Sequence, residues 1–247
     1  MAPPVLEWQA GTIKAIRPET QQTKSFTLML PKWMVHRPGQ HYDVRLTAPD
    51  GYQTQRSYSI ASPPERVGEL ELTVERIPDG EVSPYLHDVL VPGDQLEVRG
   101  PIGGYFVWDV SLGGPLLLVA GGSGVVPLMA MLRHRAAQHS TVPARMLYSS
   151  RTADDVIYRD ELNHLAAGDR AFEAFYTFTR QPPAGWTGYR RRIDATMLAE
   201  VIKPFDKRAR VYVCGPTLLV EAVANALVQM ALPIEQIRTE RFGPTGS

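Results

Sequence analysis

An apolar strand that runs directly into a glycine-rich turn, LLLVAGGSGVVPLMAML at residues 116–132, constrains the fold more than any other segment. An uninterrupted apolar strand suits a parallel sheet that is covered on both faces. Gly122, Gly124 and Pro127 fit a GxGxxP spacing, in which glycines permit a tight turn and proline starts a helix. This succession predicts the first unit of an α/β domain, with a helix start that can accept a phosphate. A tight turn without a ligand is the alternative, and a Walker-type loop is disfavoured because no Gly-Lys-Ser/Thr follows.

Strand-like and helix-like segments alternate from residue 115 to the end of the chain. Each of the first four strand segments is followed by a helical pattern, which is the crossover that parallel strands require. The order therefore predicts a five-stranded parallel sheet. The five strand segments are PLLLVAG, ARMLYSS, AFEAFYTFT, ARVYVCG and IRTER.

The first half of the chain has a different texture, with six short strand-like segments separated by Gly and Pro turns and one helical stretch, SPYLHDVLV. The segment ELELTV alternates charged and apolar residues, which is typical of a half-buried antiparallel strand. Many short strands at this spacing predict a barrel or a sandwich. We therefore expect two domains, an all-β domain at 1–109 and an α/β domain at 110–247, joined at DVSLGGP.

Composition excludes several classes of function. Lys plus Arg equals Asp plus Glu, at 26 each, so no overall basic field favours nucleic acid. The single cysteine, Cys214, excludes an internal disulfide and a zinc or iron–sulfur site built from several cysteines, and the six histidines show no metal-ligand spacing. The amino-terminal segment does not look like a secretory signal, and no apolar run is long enough to span a bilayer. We expect no metal and a reducing, cytoplasmic setting.

The end of the second strand of the α/β half, YSSRTADD, lies where a dinucleotide fold holds the adenosine ribose. Ser149, Ser150 and Arg151 stand where an acidic residue would favour NAD. A hydroxyl and a guanidinium suit a 2′-phosphate, so they favour NADP, although a solvated loop arginine is the alternative. Asp154 and Asp155 are expected in the first turn of the next helix.

The segment VYVCGPT at residues 211–217 again places a strand before a Gly-Pro turn and a helix. Gly215 and Pro216 turn the chain at the carboxyl edge of the sheet, where ligands bind in such folds. Cys214 is expected as a buried small side chain beside that edge rather than a nucleophile, since no histidine is near it in sequence.

Three elements of the first half can hold a flat, phosphate-bearing ligand. RSYS at residues 56–59 places an arginine and a tyrosine on a strand, which by itself is also compatible with an ordinary edge strand. GEVS at residues 80–83 precedes the short helix, whose start can take an anion. GPIGGYF at residues 100–106 is a glycine-rich loop that ends in aromatic residues.

Taken in order, these motifs resemble those of the ferredoxin-NADP reductase family of flavoproteins over essentially the full chain. RSYS matches the family's RxYS flavin motif and GEVS its phosphate-side GxxS element. GPIGGYF, AGGSGVVP and VYVCGPT match the interdomain loop and two nicotinamide-cofactor loops, and IRTERFG is similar to the carboxyl-terminal strand with its aromatic end. The resemblance implies a six-stranded antiparallel FAD-binding barrel followed by a five-stranded parallel domain that binds NADPH, with NADH as a possibility.

The resemblance also implies a role for individual residues. Arg56 would pair with the FAD pyrophosphate, Tyr58 would stack on the isoalloxazine, and Ser59 would hydrogen-bond near flavin N5 or O4. Tyr58, Ser59, Cys214 and Glu240 are the expected catalytic residues, with hydride passing from nicotinamide C4 to flavin N5. The remaining cofactor-binding residues implied are Ser57, Val74, Glu75, Arg76, Gly80, Val82, Ser83, Gly122, Ser123, Gly124, Val125, Pro127, Ser150, Arg151, Gly215, Pro216 and Phe242.

Many relatives carry a fused ferredoxin or haem domain, for which this chain has no room, so we expect a separate electron acceptor such as a ferredoxin. Residues 133–138 (RHRAAQ) and 188–194 (GYRRRID) are candidate basic patches for it, although solvated surface charge is the alternative. Two other functions stay open: reduction of free flavin or a small acceptor, and a non-enzymatic flavin-binding subunit. The latter is disfavoured because its known forms carry a carboxyl-terminal cysteine cluster.

Overall fold

The amino-terminal half forms an antiparallel barrel in the computed structural model, which describes residues 6–243. Its sheet order is β4-β3-β6-β1-β2-β5, and a bridge between Ile60 and Leu72 joins the end of β4 to β5. The predicted six strands are confirmed, and the barrel rather than the sandwich is observed. A short helix, α1 (Val82–Asp88), follows β5. The strands are β1 (Gln9–Thr20), β2 (Thr23–Met29), β3 (His41–Thr47), β4 (Gln53–Ser59), β5 (Glu69–Glu75) and β6 (Gln95–Ile102).

The second half forms a parallel sheet of five strands in the order β11-β10-β7-β8-β9, as predicted. Its strands are β7 (Leu116–Gly121), β8 (Ala144–Thr152), β9 (Phe172–Gln181), β10 (Arg210–Pro216) and β11 (Ile237–Phe242). Its helices are α2 (Val125–Ala137), α3 (Arg159–Gly168), α4 (Ala195–Ile202) and α5 (Thr217–Gln229). Every residue of β7 is buried, because hydrophobic clusters cover both faces of the sheet. Within residues 6–243, no helix is long and apolar enough to cross a membrane.

The expectation that β5 is half-buried is wrong. Its charged and hydroxyl side chains Glu71 and Thr73 are each only 4% exposed, and its apolar face fills the barrel core. The polar face is covered because α2 and the segment before α3 pack against it, through hydrogen bonds from Arg133 and Tyr158. The polar half of the alternating pattern thus marks a domain interface.

The helix expected from Asp154 begins only at Arg159. The intervening residues form a turn in which the Thr152 hydroxyl donates to the Asp155 carboxylate at 2.8 Å. The buried hydroxyl of Tyr148 accepts a hydrogen bond from the Ile157 amide at 3.2 Å, so that amide is held away from helical pairing. Asp155 therefore bonds within a turn, and neither aspartate lies in the first turn of a helix.

The candidate basic patch at 133–138 is also corrected. Arg133, His134 and Arg135 are between 2% and 9% exposed, since the first two face the barrel and the third faces its own domain. In the second candidate patch, Arg190, Arg191 and Arg192 are exposed. Of the two segments, only 188–194 offers positive charge to solvent.

Candidate active site

Arg56 and Tyr58 lie on one face of β4, because side chains two residues apart on a strand point the same way. Tyr58 is half-buried against the barrel core, and this burial raises the pKa of its phenol to about 12. Arg56 is exposed, and its guanidinium donates to the carbonyl oxygen of Gln55 at 2.7 Å. The strand therefore presents a neutral aromatic ring beside a cation that is accessible to a ligand.

Ser57 and Ser59 lie on the opposite face of β4. The Ser57 hydroxyl donates to Asp43 at 2.7 Å, and Asp43 in turn pairs with Arg99 at 2.8 Å. The structure therefore does not bring the Ser57 side chain to Arg56 and Tyr58, and any role it has toward a cofactor falls to its backbone. Ser59 is buried and pairs with His41 in the sheet.

The turn from β5 into α1 lies beside β4. The Glu81 carboxylate accepts hydrogen bonds from the Thr54 hydroxyl at 2.9 Å and from the Tyr52 hydroxyl at 3.1 Å. Thr54 is two residues from Arg56 on the same face, so the start of α1 and the arginine border one space. A guanidinium and the free amides of a helix start are the groups that bind a phosphate. The sequence motifs do not reveal these hydrogen bonds of Glu81, because they join residues far apart in the sequence.

Other side chains of this turn have internal partners. The Ser83 hydroxyl accepts from the Ile77 amide at 3.0 Å, and a Cβ on Gly80 would lie 3.2 Å from that hydroxyl. The Arg76 guanidinium pairs with Asp88 at 2.8 Å and its amide donates to the Gln22 carbonyl oxygen at 2.7 Å, so of its backbone groups the carbonyl oxygen is left for a cofactor. Val82 is buried at the start of α1, and in β5 Val74 is buried and Glu75 half-buried.

The glycine turn at 122–124 fits tightly under the end of β10. A Cβ on Gly124 would lie 2.7 Å from Gly215 Cα and still closer to the carbonyl group of Cys214. Gly215 has φ of +154° and Gly122 has φ of +53°. This cradle has room for backbone only, so its amides can approach a pyrophosphate, and it fits the predicted dinucleotide. Ser123 completes the turn, and Val125 and Pro127 are buried at the start of α2.

Tyr148 fixes the glycine turn through a hydrogen bond. Its hydroxyl donates to the Gly122 carbonyl oxygen at 3.0 Å while it accepts from Ile157. Sequence reasoning missed this residue, because a tyrosine inside an apolar strand carries no local signal beyond packing. The glycine turn also lies against β5, so the predicted NADPH site adjoins the predicted FAD site.

Cys214 and Glu240 meet where β10 pairs with β11. The fully buried Cys214 thiol lies 3.7 Å from a Glu240 carboxylate oxygen and can donate to it. Burial, and then the neighbouring Glu240, raise the pKa of the thiol well above its usual range, so Cys214 is not a thiolate nucleophile. Burial raises the pKa of Glu240 to about 7, with the thiol opposing the shift. Phe242 lies beside Pro216 at the end of the same strand pair.

The buried carboxyl of Glu240 predicts a pH dependence of stability. Its pKa is about 7 in the folded protein against an ordinary value of 4.5, so the folded state holds the proton more tightly. The resulting stabilisation is complete below pH 4.5 and is lost as the pH rises through 7. The free energy of unfolding of Glu240→Gln, relative to that of the wild type, should therefore rise by about 2 kcal/mol between pH 5 and pH 8.

Thermal melts of both proteins at pH 5 and pH 8 measure this gain. Glu235→Gln, at an exposed glutamate nearby, controls for the loss of one charge. A stability difference between Glu240→Gln and the wild type that does not change with pH would contradict the burial of an ionisable carboxyl.

The end of β8 presents the residues predicted to select the cofactor. Ser149 and Ser150 are buried, and Arg151 is exposed. The register between β8 and β9 shifts after Ser150, so that two exposed residues of β9, Thr179 and Arg180, lie opposite Arg151. The motif reading missed Arg180, because its relation to Arg151 comes from strand pairing. This edge therefore carries two exposed arginines, and guanidinium groups are well suited to bind a phosphate.

Two known domain families match this chain in succession. Residues 11–107 match the oxidoreductase FAD-binding domain and residues 118–225 match the oxidoreductase NAD-binding domain. The ferredoxin–NADP reductase B of Sorangium cellulosum is 33% identical over 236 residues, which cover 92% of this chain and 95% of that protein. The glycine betaine monooxygenase reductase subunit of Chromohalobacter salexigens is 32% identical over 237 residues, or 94% of this chain.

A crystal structure of the Amycolatopsis cytochrome P450 reductase GcoB has the same fold, with a TM-score of 0.84 and 25% identity over 98% of this chain and 71% of that one. The chain spans 63% of the length of the C. salexigens subunit and of its Pseudomonas aeruginosa counterparts. The match therefore covers the two cofactor domains and leaves part of those longer proteins without a counterpart here.

Proposed function

This chain belongs to the ferredoxin-NADP reductase family of flavoproteins, and we propose that it is an FAD-dependent NADPH oxidoreductase that passes electrons to a separate redox protein. The observation that carries this proposal is the contact between the glycine turn at 122–124 and β5, which makes the two cofactor sites adjoin. A hydride donor and a flavin acceptor bound at adjoining sites can react directly, without a protein relay. We propose residue 109/110 as the domain boundary and the cytoplasm as the compartment.

When bound, the two cofactors would supply the redox chemistry, which is hydride transfer from the nicotinamide of NADPH to flavin N5 and electron transfer from the reduced flavin to the acceptor. Arg56 and the start of α1, with Gly80, Val82 and Ser83, would hold the FAD pyrophosphate. Tyr58 would lie against the isoalloxazine, and a hydrogen bond from Ser59 near N5 would come from its backbone, because its side chain lies on the opposite face of β4. The backbone of Val74, Glu75 and Arg76 would line the ring.

In the α/β domain, the glycine turn at 122–124 would hold the NADPH pyrophosphate. Cys214, Gly215 and Pro216 would border the nicotinamide, while Phe242 would exclude water from the same space. With a pKa of about 7, the Glu240 carboxyl can keep a proton at the site, because it is buried. No side chain here needs to act as a nucleophile.

The acceptor we propose is a ferredoxin or the oxygenase component of a multi-protein system. The C. salexigens relative is the reductase subunit of a monooxygenase, and the S. cellulosum relative is a ferredoxin–NADP reductase. The exposed arginines 190–192 supply positive charge that an acidic partner would complement.

The visible spectrum of the purified protein, before and after anaerobic addition of NADPH, tests the function. A yellow protein whose flavin absorbance bleaches within seconds supports a reductase with bound FAD. A colourless protein that reduces added free flavin would favour the flavin reductase instead. A yellow protein that NADPH does not bleach would contradict both enzymatic functions and favour a flavin-binding subunit.

The preference for NADPH rests on Arg151 and Arg180. Arg151→Ala should lower kcat/KM for NADPH by about 10- to 150-fold, the equivalent of about 1.5–3 kcal/mol for one charge-assisted phosphate contact, and should hardly change the value for NADH. Steady-state kinetics with both cofactors measure this, with Arg180→Ala as a second variant. Arg159→Ala is the matched control, since that exposed arginine lies near Asp154 and Asp160 instead. Equal losses for both cofactors would show that Arg151 does not read the phosphate.

A further inference from the structure

Helix α2 of the α/β domain holds the loop that connects β4 and β5 of the barrel. Arg133 donates to the Ala61 carbonyl oxygen at 2.9 Å, at the start of this loop, and to Glu71 at 2.6 Å, within β5. His134 is hydrogen-bonded to Glu65 in the middle of the loop, with its Nδ1 at 2.6 Å from the carboxylate. Two consecutive residues of one helix thus bind three positions of the other domain.

Arg133 also binds within its own domain. Two of its guanidinium nitrogens each lie 2.7 Å from a Glu161 carboxylate oxygen on α3, and its guanidinium carbon is 4.9 Å from the centre of the Tyr158 ring. The side chain is only 9% exposed. Burial alone would raise the pKa of Glu71, but the Arg133 charge outweighs it and keeps that pKa below its usual range. Both partners are therefore charged, and the planar guanidinium fixes their directions.

The hydrogen bonds of Arg133 and His134 connect the two parts of the proposed active site. Helix α2 starts at the glycine turn that would hold the NADPH pyrophosphate, and Ala61 follows two residues after Ser59, which would hydrogen-bond near flavin N5. A second link across the same interface runs from the Tyr158 hydroxyl to Thr73 of β5, whose hydroxyl lies 2.8 Å from that of Ser25. The dinucleotide turn and the flavin strand are therefore joined through buried, directional bonds.

We propose that Arg133 is a positioning residue for hydride transfer: it sets the distance between the nicotinamide site of one domain and the flavin site of the other. The inference rests on the proposed function. Apolar contacts alone would also hold the domains together, but they tolerate sliding, whereas a buried charge that loses a partner cannot be compensated by water. Displacing reacting groups by about 1 Å can slow a reaction by about 100-fold.

Arg133→Met, compared with Arg135→Met, tests this role. Arg135 is an equally buried arginine on the same helix, but its partners are the Val142 carbonyl and Asp169 of its own domain. In FAD-loaded Arg133→Met, the limiting rate of flavin reduction at saturating NADPH should fall at least tenfold in stopped-flow measurements. The NADPH Kd should change less than threefold, and the primary deuterium isotope effect should rise. Arg135→Met should melt earlier than the wild type but keep its limiting rate and isotope effect.

A second readout does not depend on catalysis. In FAD-free protein, amide hydrogen exchange of residues 60–72 should accelerate in Arg133→Met and stay unchanged in Arg135→Met. If the wild type is not reduced by NADPH, the proposed function fails, while this comparison still tests the linkage. Should Arg133→Met not fold, Arg133→Lys replaces it, because lysine cannot span Ala61, Glu71 and Glu161 together, and a threefold slower limiting rate is expected. A folded Arg133 variant with wild-type rate and exchange, or an Arg135→Met that is equally slow, overturns the proposal.

Discussion

Replacing Gly124 with alanine should reduce the rate of flavin reduction by NADPH by about 100-fold or more, while FAD stays bound. The added Cβ would lie 2.7 Å from Gly215 Cα and closer still to the Cys214 carbonyl, which are backbone atoms that cannot rotate away. Overpacking of this kind costs about 1–3 kcal/mol, and the turn must shift to relieve it. A displaced turn misplaces the nicotinamide, and about 1 Å of misplacement can cost about 100-fold in rate.

Gly122→Ala is the matched control for this prediction. Gly122 lies in the same turn, and a Cβ there would meet no atom within 4 Å, although its φ of +53° is unfavourable for alanine. Its substitution adds backbone strain of about 1–2 kcal/mol without a steric clash. Single-turnover stopped-flow kinetics of both variants, with the bound FAD determined by absorbance, separate the two effects. A Gly124→Ala protein that is reduced as fast as Gly122→Ala would show that the close approach to β10 does not matter.

Arg56→Ala should weaken FAD binding by about 10- to 150-fold, the equivalent of about 1.5–3 kcal/mol for a charge-assisted contact with phosphate. The fold should be unaffected, because Arg56 is exposed and its side chain bonds to a neighbouring carbonyl oxygen rather than to the core. The measurement is the FAD Kd by fluorescence titration of the stripped protein, together with its melting temperature without FAD.

Gln55→Ala serves as the control for Arg56→Ala, since Gln55 is also exposed on β4 but its side chain points to the other face of the strand. It should retain FAD with wild-type affinity. An unchanged FAD Kd in Arg56→Ala would show that the arginine does not bind the pyrophosphate and that RSYS is part of an ordinary edge strand.

The candidate site was largely predictable because its signals are local. A glycine turn between a strand and a helix, as at residues 121–125, depends on the conformational freedom of the residues in the turn itself. RSYS and GEVS are also short, and the structure places Arg56 and Tyr58 beside the turn that holds Gly80. Ser57 shows the limit of this reasoning, since its hydroxyl bonds to Asp43 on the far face of the strand. The roles of all these residues toward FAD and NADPH stay predictions until the variants are measured.

Three features could not be read from the chain because they depend on distant partners. Arg133 and His134 look like solvated charges in RHRAAQ, yet both are buried against the barrel. The start of α3 is delayed by a hydrogen bond between Tyr148 and Ile157. Arg180 lies on the strand opposite Arg151 only because of the register of two paired strands. In each case, the sequence-adjacent residues give no indication of the surface that the side chain meets.

The sequence by itself determined the order and type of the elements, the two-domain architecture and the positions of the turns, because periodicity and glycine or proline geometry act within a few residues. Only the tertiary structure decided that the polar face of β5 is an interface and that the glycine turn lies against β5, which makes the two proposed cofactor sites adjoin. Whether Glu71 is solvated or buried depends on a charge contributed 62 residues later by Arg133. A buried ion pair is stable only when both charged partners are present, and here they come from segments far apart in the sequence. No local sequence pattern can therefore specify it.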